Sequence, residues 1–364
     1  MSFDYSSAGK RFASQNELLD CFADVLDLHI YYIYKYHYWV SPENSMQGML
    51  GVVVTREEFE KGLLRASGGT AWESLSDDET SEIEMTREYF FGRVLATPDD
   101  CGFPVFGVEN AFRTDRFRFL TVLTLLCCDV ERRYEKLFAF LQDDISKKLP
   151  TADTMIRLWA EPGRRIADYY RYFSEQDALM KYICAPVEGT LCTRQLQLSE
   201  PIIRYLTGGE CADPVDFPQE DPGQAYIMAE IAEQAAAAER SLNGAPAVIC
   251  LCGKRGSGRK FLIKHCARRC GESVAFVPAA ELISAEDTAE AFRRAVCEAA
   301  PRGAALCITD FEQFLEEENR AKLAELSAEL SDSGRFFGTH IFITTQRRWQ
   351  TEIPGAGTLL LTLE

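Results

Sequence analysis

The sequence predicts a multidomain α plus α/β protein: helical domains come first, followed by a domain built on a five-stranded parallel sheet. Its 364 residues exceed the size at which one hydrophobic core stops growing, so we expect two or more domains. Helix-start signals dominate up to about residue 209. After Ala245, apolar strand-like runs alternate with helical segments, which is the pattern of a parallel sheet.

Composition narrows the classes of function. The net charge of −17 is unevenly divided, because residues 1–223 carry 23 basic and 37 acidic side chains. An acidic front half opposes phosphate neutralisation, so nucleic acid is not the expected partner. The chain has no 18-residue uncharged apolar run and no signal-peptide core in MSFDYSSAGKRF, which predicts a cytoplasmic protein without a membrane partner. The thirteen cysteines lack C-x-x-C pairs and are expected to be reduced and buried.

Residues 1–114 are predicted to form a helical N-terminal region without catalytic groups. The helix starts are marked by capping boxes, in which a Ser or Thr precedes a Glu by three residues. These boxes are Ser14 with Glu17, Thr55 with Glu58, and Ser76 with Glu79. The tyrosine-rich end of the first helix, HIYYIYKYHYW, is interpreted as packed aromatic core.

Residues 115–209 are predicted to form a winged-helix module. Two amphipathic helices follow Asp115, a third begins at Thr151 after Pro150, and the alternation in LQLS suggests a strand of a wing. Further helices are expected after Ser174 with Asp177 and after Ser199. Residues 131–209 carry 12 basic and 11 acidic side chains, which favours protein contact over DNA binding. A DNA-binding winged-helix adaptor remains the alternative.

Residues 210–223, with three prolines and five acidic residues, are predicted as a linker to the α/β core at 224–364. In this core an alanine-rich helix, 226–242, precedes an apolar strand and a glycine-rich loop. Backbone N–H groups of such a loop, at a helix N-terminus, bind phosphate. The predicted cofactor-binding residues are Gly253, Gly256, Ser257, Gly258, Arg259 and Lys260.

This loop departs from the P-loop pattern G-x-x-x-x-G-K-[ST] at two positions. Arg259 stands in the lysine position, and Lys260 stands in the position of the hydroxyl residue that binds Mg²⁺. The expected cofactor is therefore ATP or ADP, held by charge with little support from Mg²⁺.

Two further strand ends carry polar residues. Asp310 follows the apolar run ALCIT, where it is a weak candidate for a metal ligand and a catalytic group. Phe311 occupies the position of a catalytic glutamate, and Glu312, one residue farther along, is the other weak catalytic candidate. Thr345 and Gln346 end the next strand as sensor-like residues, or as an ordinary strand-end turn.

The order of these parts resembles the AAA+ family of P-loop ATPases. The resemblance covers residues 225–364 and implies a small helical lid after the last strand, GTLLLTLE. The sequence ends at this strand, so we expect an AAA+ core without a lid, either cut or naturally lidless. The helical segments FAFLQDD, PTADTMIRL and LQLSEPIIRYLTGG look like the winged-helix module that precedes AAA+ domains in bacterial ATPases, some encoded near contractile injection systems. In the family, arginines such as Arg347 and Arg348 can serve a neighbouring subunit; solvated side chains are the simpler interpretation.

The expected function is a nucleotide-binding protein-interaction or assembly module with degenerate Walker motifs. Loss of a general base costs about 10² to 10⁴ in rate, so we expect this chain to be catalytically inactive. Protein partners or ring-forming subunits are the expected partners. The alternatives are an active ATPase that remodels a protein assembly, and the DNA-binding adaptor.

Overall fold

In the computed structural model of this protein, the described residues are 3, 5–37, 75–142, 144–185, 189–190, 193–217, 247–269, 271–332, 336–349, 353 and 357–363. The predicted capping box of Thr55 with Glu58 and the predicted alanine-rich helix at 226–242 lie outside these residues. None of the described helices combines the length and apolar character needed to cross a lipid bilayer.

The chain divides into two units. The helical unit comprises Met1–Val105 and Asp115–Ile203, and the α/β unit comprises Phe106–Thr114 and Arg204–Glu364. The helices up to the linker are α1 (Gln15–His37), α2 (Asp77–Ala96), α3 (Pro104–Phe112), α4 (Arg116–Val130), α5 (Arg133–Leu141), α6 (Ala152–Trp159) and α7 (Glu200–Leu206). Shorter helical segments are the 3₁₀ turns Tyr5–Ser7, Asp99–Cys101 and Ile166–Phe173 and the π-helical turn Leu179–Ile183.

Two predicted capping boxes begin helices in the structure. At the start of α2, the Glu79 N–H donates to Ser76 Oγ at 3.4 Å, and the Ser76 N–H donates to the Glu79 carboxylate at 3.0 Å. At the start of α1, the Glu17 N–H donates to Ser14 Oγ at 3.2 Å, whereas the Glu17 carboxylate accepts the Ala13 N–H. These bonds satisfy amide groups that a helix N-terminus otherwise leaves unpaired.

The second half of the helical unit alternates helices with a small antiparallel ribbon. Thr151, just before α6, bridges to Gln195, and Cys184, just after the π-helical turn, bridges to Leu198. This is the order of helices and ribbon that the sequence predicts for residues 115–209.

One predicted helix start in this region is wrong. Ser174 ends the 3₁₀ segment Ile166–Phe173 and does not begin a helix. The Asp177 carboxylate accepts the Leu179 N–H at the start of the π-helical turn and also forms two hydrogen bonds with Arg118, at 2.9 and 2.6 Å. Pairing with an arginine from α4 is a tertiary contact, which a local capping pattern does not contain.

Arg87 is a buried centre of the helical unit. Its guanidinium donates to His29 Nε2 at 2.9 Å, to the Leu158 carbonyl at 2.7 Å and to the Ala160 carbonyl at 3.1 Å. The two carbonyls lie at the C-terminal end of α6, where the helix dipole favours a cation. One arginine on α2 thereby ties α1 to α6, and burial lowers its pKa to about 10.

The α/β unit contains the predicted five-stranded parallel sheet. Its strands are β1 (Ala247–Gly253), β2 (Ser273–Pro278), β3 (Ala304–Thr309), β4 (Ile341–Thr345) and β5 (Gly357–Leu363), in the spatial order β2-β3-β4-β1-β5. All pairings between these five strands are parallel. The connecting helices are α8 (Arg259–Arg269), α9 (Ala279–Ser284), α10 (Thr288–Ala299) and α11 (Arg320–Ser331), with 3₁₀ turns at Ala300–Arg302, Phe311–Leu315 and Glu317–Asn319.

Helix α8 packs on one face of this sheet. Alternate residues of the strands, such as Ile249 and Leu251 of β1, share a buried cluster with Leu262, Ile263 and neighbouring residues of α8. The period of two along the strand and the apolar stripe of the helix face each other, as amphipathic patterning requires. The cluster holds the N-terminus of α8 against the carboxyl end of β1.

Ser284 with Asp287 has the three-residue spacing of a capping box, but the helix begins one turn later than that pattern predicts. Ser284 is the last residue of α9, and α10 begins after Asp287, whose carboxylate accepts the Glu290 N–H at 2.8 Å. Asp287 with Glu290 has the same three-residue spacing as the expected pair of Ser284 with Asp287, so the pattern alone allowed either start.

Part of the predicted linker belongs to the sheet. Asp216 pairs with Phe276 of β2 in an antiparallel bridge, through backbone hydrogen bonds of 2.9 and 2.8 Å. Arg204, just before the predicted linker, pairs with the buried carboxylate of Glu298 on α10, which also pairs with Arg302. Residues 204–216 are therefore anchored on the α/β unit by hydrogen bonds and ion pairs.

The contacts of His29 predict a pH-dependent stability of the helical unit. Burial, and then the charge of Arg87, hold the pKa of His29 well below its ordinary value. The stability that depends on neutral His29 is fully present above the unfolded pKa of about 6.5 and is lost as the pH falls. Between pH 7.5 and 5.5 we expect wild type to lose about 1.4 kcal/mol more unfolding free energy than His29→Gln, measured by urea denaturation.

Glutamine offers Arg87 an acceptor but takes up no proton, so it is the matched variant. Asp129 acts in the opposite direction, because burial raises its pKa to about 6 and its protonation favours the folded state. That contribution is common to both proteins and cancels in the comparison. Equal pH dependence of wild type and His29→Gln would contradict the assignment.

Candidate functional site

The carboxyl end of β1 leads into a tight glycine loop and the N-terminus of α8. Gly256 and Gly258 have φ values of +86° and +84°, a region that side chains with a Cβ avoid. A Cβ on Gly253 would lie 2.7 Å from Ser257 Oγ and 2.8 Å from the Leu363 carbonyl oxygen, so only glycine fits there. Successive N–H groups in such a turn form an anion-binding concavity, and the positive end of the helix dipole adds to it.

Two polar groups at this loop are buried without a hydrogen-bond partner among the described residues. They are Nη1 of Arg259, a residue that is 9% exposed, and Oγ of Ser257. Leaving such a group unpaired costs about 1–3 kcal/mol, and more for a charged one. Groups of this kind are expected where a ligand supplies the missing partner.

Lys260, predicted beside Arg259 as a phosphate-binding residue, lies over an aromatic ring of the neighbouring strand β2. Its Nζ lies 5.5 Å from the ring centroid of Phe276 on β2, and Nζ of Lys264 lies 5.7 Å from the same centroid. Both distances are within the range of cation–π attraction. The cation closest to the role of the P-loop lysine is therefore Arg259.

Asp310 and Phe311 follow β3 at the same edge of the sheet. Asp310 is exposed and adopts the left-handed conformation, with φ 55° and ψ 40°, which is uncommon for a residue other than glycine. Phe311 is fully buried, and its ring centroid lies 4.6 Å from that of Trp349 and 5.3 Å from that of Phe314. The position expected of a catalytic glutamate is thus part of the hydrophobic core.

Glu312 is held by the end of the neighbouring strand. Its carboxylate accepts the Gln346 backbone N–H at 3.1 Å and also a hydrogen bond from the Gln346 side-chain amide, at 2.5 Å. Thr345 is buried, and its hydroxyl donates to the Arg347 carbonyl at 2.8 Å. Of the two sensor-like residues, Gln346 lies at the sheet edge and Thr345 bonds to its own turn.

Strand order brings these groups to one edge. Because β4 lies between β1 and β3, the glycine loop, Gln346 and Asp310 follow the carboxyl ends of three adjacent parallel strands. The step from β1 to β2 runs opposite to the later steps, so right-handed crossovers place α8 and α10 on opposite faces. Ligands of open α/β sheets bind in the crevice that such a reversal opens.

The sequence reasoning missed the pair of Glu312 with Gln346. The available signal was that both residues are polar and follow strands of one parallel sheet. This sequence pattern does not say which strands are neighbours in the sheet. Among the described residues, no group of three or more His, Cys, Asp or Glu is arranged to hold a metal ion.

The helical unit also contains a cavity of about 690 Å³. Several of its charged side chains are paired with one another, for example Arg116 with Glu88 at 2.6 Å and Arg164 with Glu161 at 3.1 Å. Its buried Arg87 already donates to three acceptors. The glycine loop has buried donors without partners, so it is the stronger candidate for a ligand site.

Comparison with known proteins identifies one region of the chain. Residues 112–214 match the family described as winged helix domain, variant. A search of curated proteins found no match. The match encloses the predicted module at 115–209, and it agrees with the helices and antiparallel ribbon between Thr151 and Leu198. The chain therefore contains a winged helix domain at residues 112–214.

Proposed function

We propose that the α/β unit binds the phosphate chain of ATP or ADP at Gly253–Lys260, and that the protein acts as a nucleotide-responsive protein-interaction or assembly module. The observation that carries the proposal is the buried guanidinium nitrogen Nη1 of Arg259, which has no partner within the described part of the chain and lies beside a loop of two left-handed glycines. A phosphate oxygen is the acceptor that arginine, loop N–H groups and helix dipole all favour.

The arrangement of the other strand ends supports a nucleotide as the ligand. Asp310 and Gln346 follow β3 and β4, so polar groups face the crevice into which a bound phosphate chain would extend. This order of parts is the one that resembles AAA+ proteins. We assign phosphate contact to Arg259 and to the loop amides, whereas Gln346 donates to Glu312 at the sheet edge.

The same geometry argues against efficient hydrolysis. Phe311 has no acid–base chemistry, and Glu312, the carboxylate one residue farther along, is engaged by Gln346. Lys260 supplies no oxygen ligand for Mg²⁺, which prefers carboxylate, hydroxyl and phosphate oxygens. Starting from a typical turnover of about 10 s⁻¹, loss of the base alone leaves roughly 10⁻¹ to 10⁻³ s⁻¹. In this proposal the protein therefore binds nucleotide but hydrolyses it slowly.

The winged helix domain is assigned to protein contact. Its near balance of basic and acidic side chains provides little phosphate neutralisation, and Arg118, Arg157 and Arg164 each pair with a carboxylate. DNA binding is the second candidate function, because winged helices often serve that purpose.

The first test compares nucleotide affinities of variants by isothermal titration calorimetry. Arg259→Ala should weaken ATP binding by about 10- to 100-fold, because a charge-assisted hydrogen bond contributes about 1.5–3 kcal/mol. Arg259→Lys should retain part of the affinity, since it keeps the charge. Lys264→Ala, which removes an equal charge one turn farther along α8, is the control and should change the affinity less than about 2-fold. Equal losses in Arg259→Ala and Lys264→Ala would contradict a specific role for Arg259.

The second test concerns the metal. Wild-type affinity for ATP should be nearly the same in EDTA and in excess Mg²⁺. The double variant Arg259→Lys with Lys260→Thr restores G-x-x-x-x-G-K-[ST], and its ATP affinity should rise about 10-fold or more with Mg²⁺. Wild-type binding that EDTA abolishes would overturn the metal-independent proposal. A phosphate release rate near 1 s⁻¹ per site would favour the active ATPase.

The third test separates protein contact from DNA binding. The full chain should bind duplex DNA no tighter than the non-specific range of roughly 10⁻⁴ to 10⁻⁶ M at physiological salt. Fluorescence anisotropy with a random-sequence duplex and a genomic fragment library measures this. A sequence-dependent complex at nanomolar protein would establish the DNA-binding adaptor instead.

A further inference from the structure

An exposed aromatic ring stands beside the phosphate-binding loop. Phe261 lies in the first turn of α8 and is 39% exposed, whereas the next two residues, Leu262 and Ile263, are buried in the core. Of the large apolar side chains described in the α/β unit, Phe261 is the single one with such exposure; the others belong to the helical unit. An apolar ring left in water costs free energy, and a ligand that extends from the loop would cover this one.

The position fits a ligand that extends from the loop. Phe261 follows Arg259 by two residues, about 3 Å along the axis of α8. His265, one turn farther, has its ring 6.5 Å from that of Phe261, with the two planes 17° apart. The two near-parallel rings form an aromatic strip that begins at the loop.

His265 adds an independent sign that this strip meets a ligand. Its Nε2 is buried and has no hydrogen-bond partner among the described residues. The Phe261–His265 strip thus combines an exposed aromatic ring with an unsatisfied polar atom. The N–H donors and ring-nitrogen acceptors of a purine or pyrimidine base can hydrogen-bond such an atom, and the face of the base offers a stacking surface.

We infer that Phe261 is the stacking platform for the base of the bound nucleotide, with the phosphates anchored at the loop. The inference rests on the proposed function, which places a phosphate chain at the N-terminus of α8. Stacking is tolerant of base identity, because every base has a π face. The site then distinguishes nucleotides from inorganic polyphosphate and selects weakly among ATP, GTP and CTP.

The experiment separates the base from the phosphates. Calorimetric titration of the full chain in EDTA buffer compares ATP with inorganic tripolyphosphate, which lacks the base. Wild type should bind ATP more tightly than tripolyphosphate by about 5- to 100-fold, the range that aromatic stacking provides. Phe261→Ala should abolish this preference and leave tripolyphosphate affinity unchanged, and Phe261→Trp should preserve it.

Two further variants keep the test specific. Phe261→Leu retains apolar bulk without an aromatic face, so it should lose most of the preference for ATP. Phe140→Ala removes another exposed ring, 50% exposed in the helical unit, and should not change either affinity. Circular dichroism spectra that match wild type exclude misfolding as the cause of a loss.

The outcomes distinguish failure of this inference from failure of the proposed function. Equal weakening of ATP and tripolyphosphate by Phe261→Ala would assign the ring to support of the loop and overturn the inference. Unchanged affinities in Phe261→Ala would also overturn it, and would leave the phosphate site intact, with Phe261 free for contact with another protein. If wild type binds neither compound at millimolar concentration, the proposed function fails, and the inference fails with it.

Discussion

A guanidinium removed from water must find hydrogen-bond acceptors, and two buried arginines of this protein meet that constraint differently. Arg87 donates to His29 and to two carbonyls at the end of α6, so its charge is compensated within the helical unit. Arg259 is equally buried, yet Nη1 has no partner among the described residues. The first arginine organises a core. We propose that a ligand satisfies the second, and the functional proposal depends on this difference.

The crevice at the sheet edge separates binding from chemistry. Groups suited to hold an anion, the loop amides and Arg259, depend on β1 and α8 alone. Groups suited to act on it would come from β3 and β4, where Phe311 is core and Glu312 is bound by Gln346. Packing of Phe311 against Trp349 ties this loss of acid–base function to the stability of the unit. Under the proposed function, the protein would bind nucleotide at the loop without hydrolysing it efficiently.

The two units present different surfaces to partners. Exposed large apolar side chains of the described chain concentrate in the helical unit, which also carries most of the net negative charge. Such surfaces are typical of protein contact and unfavourable for nucleic acid. Arg204 and Arg302 pair with Glu298, and Asp216 bridges to β2. These contacts hold residues 204–216 on the α/β unit.

Local patterns by themselves determined much of this protein. Capping boxes set the starts of α1 and α2, strand–helix alternation predicted five parallel strands, and glycine spacing located the loop before α8, because each depends on neighbours within a few residues. Only the tertiary structure decided the rest. It turned Lys260 toward Phe276, paired Asp177 with Arg118, and joined Glu312 to Gln346. These contacts depend on which helices and strands pack together, and strand order and long-range pairing are not encoded in any single segment of the chain.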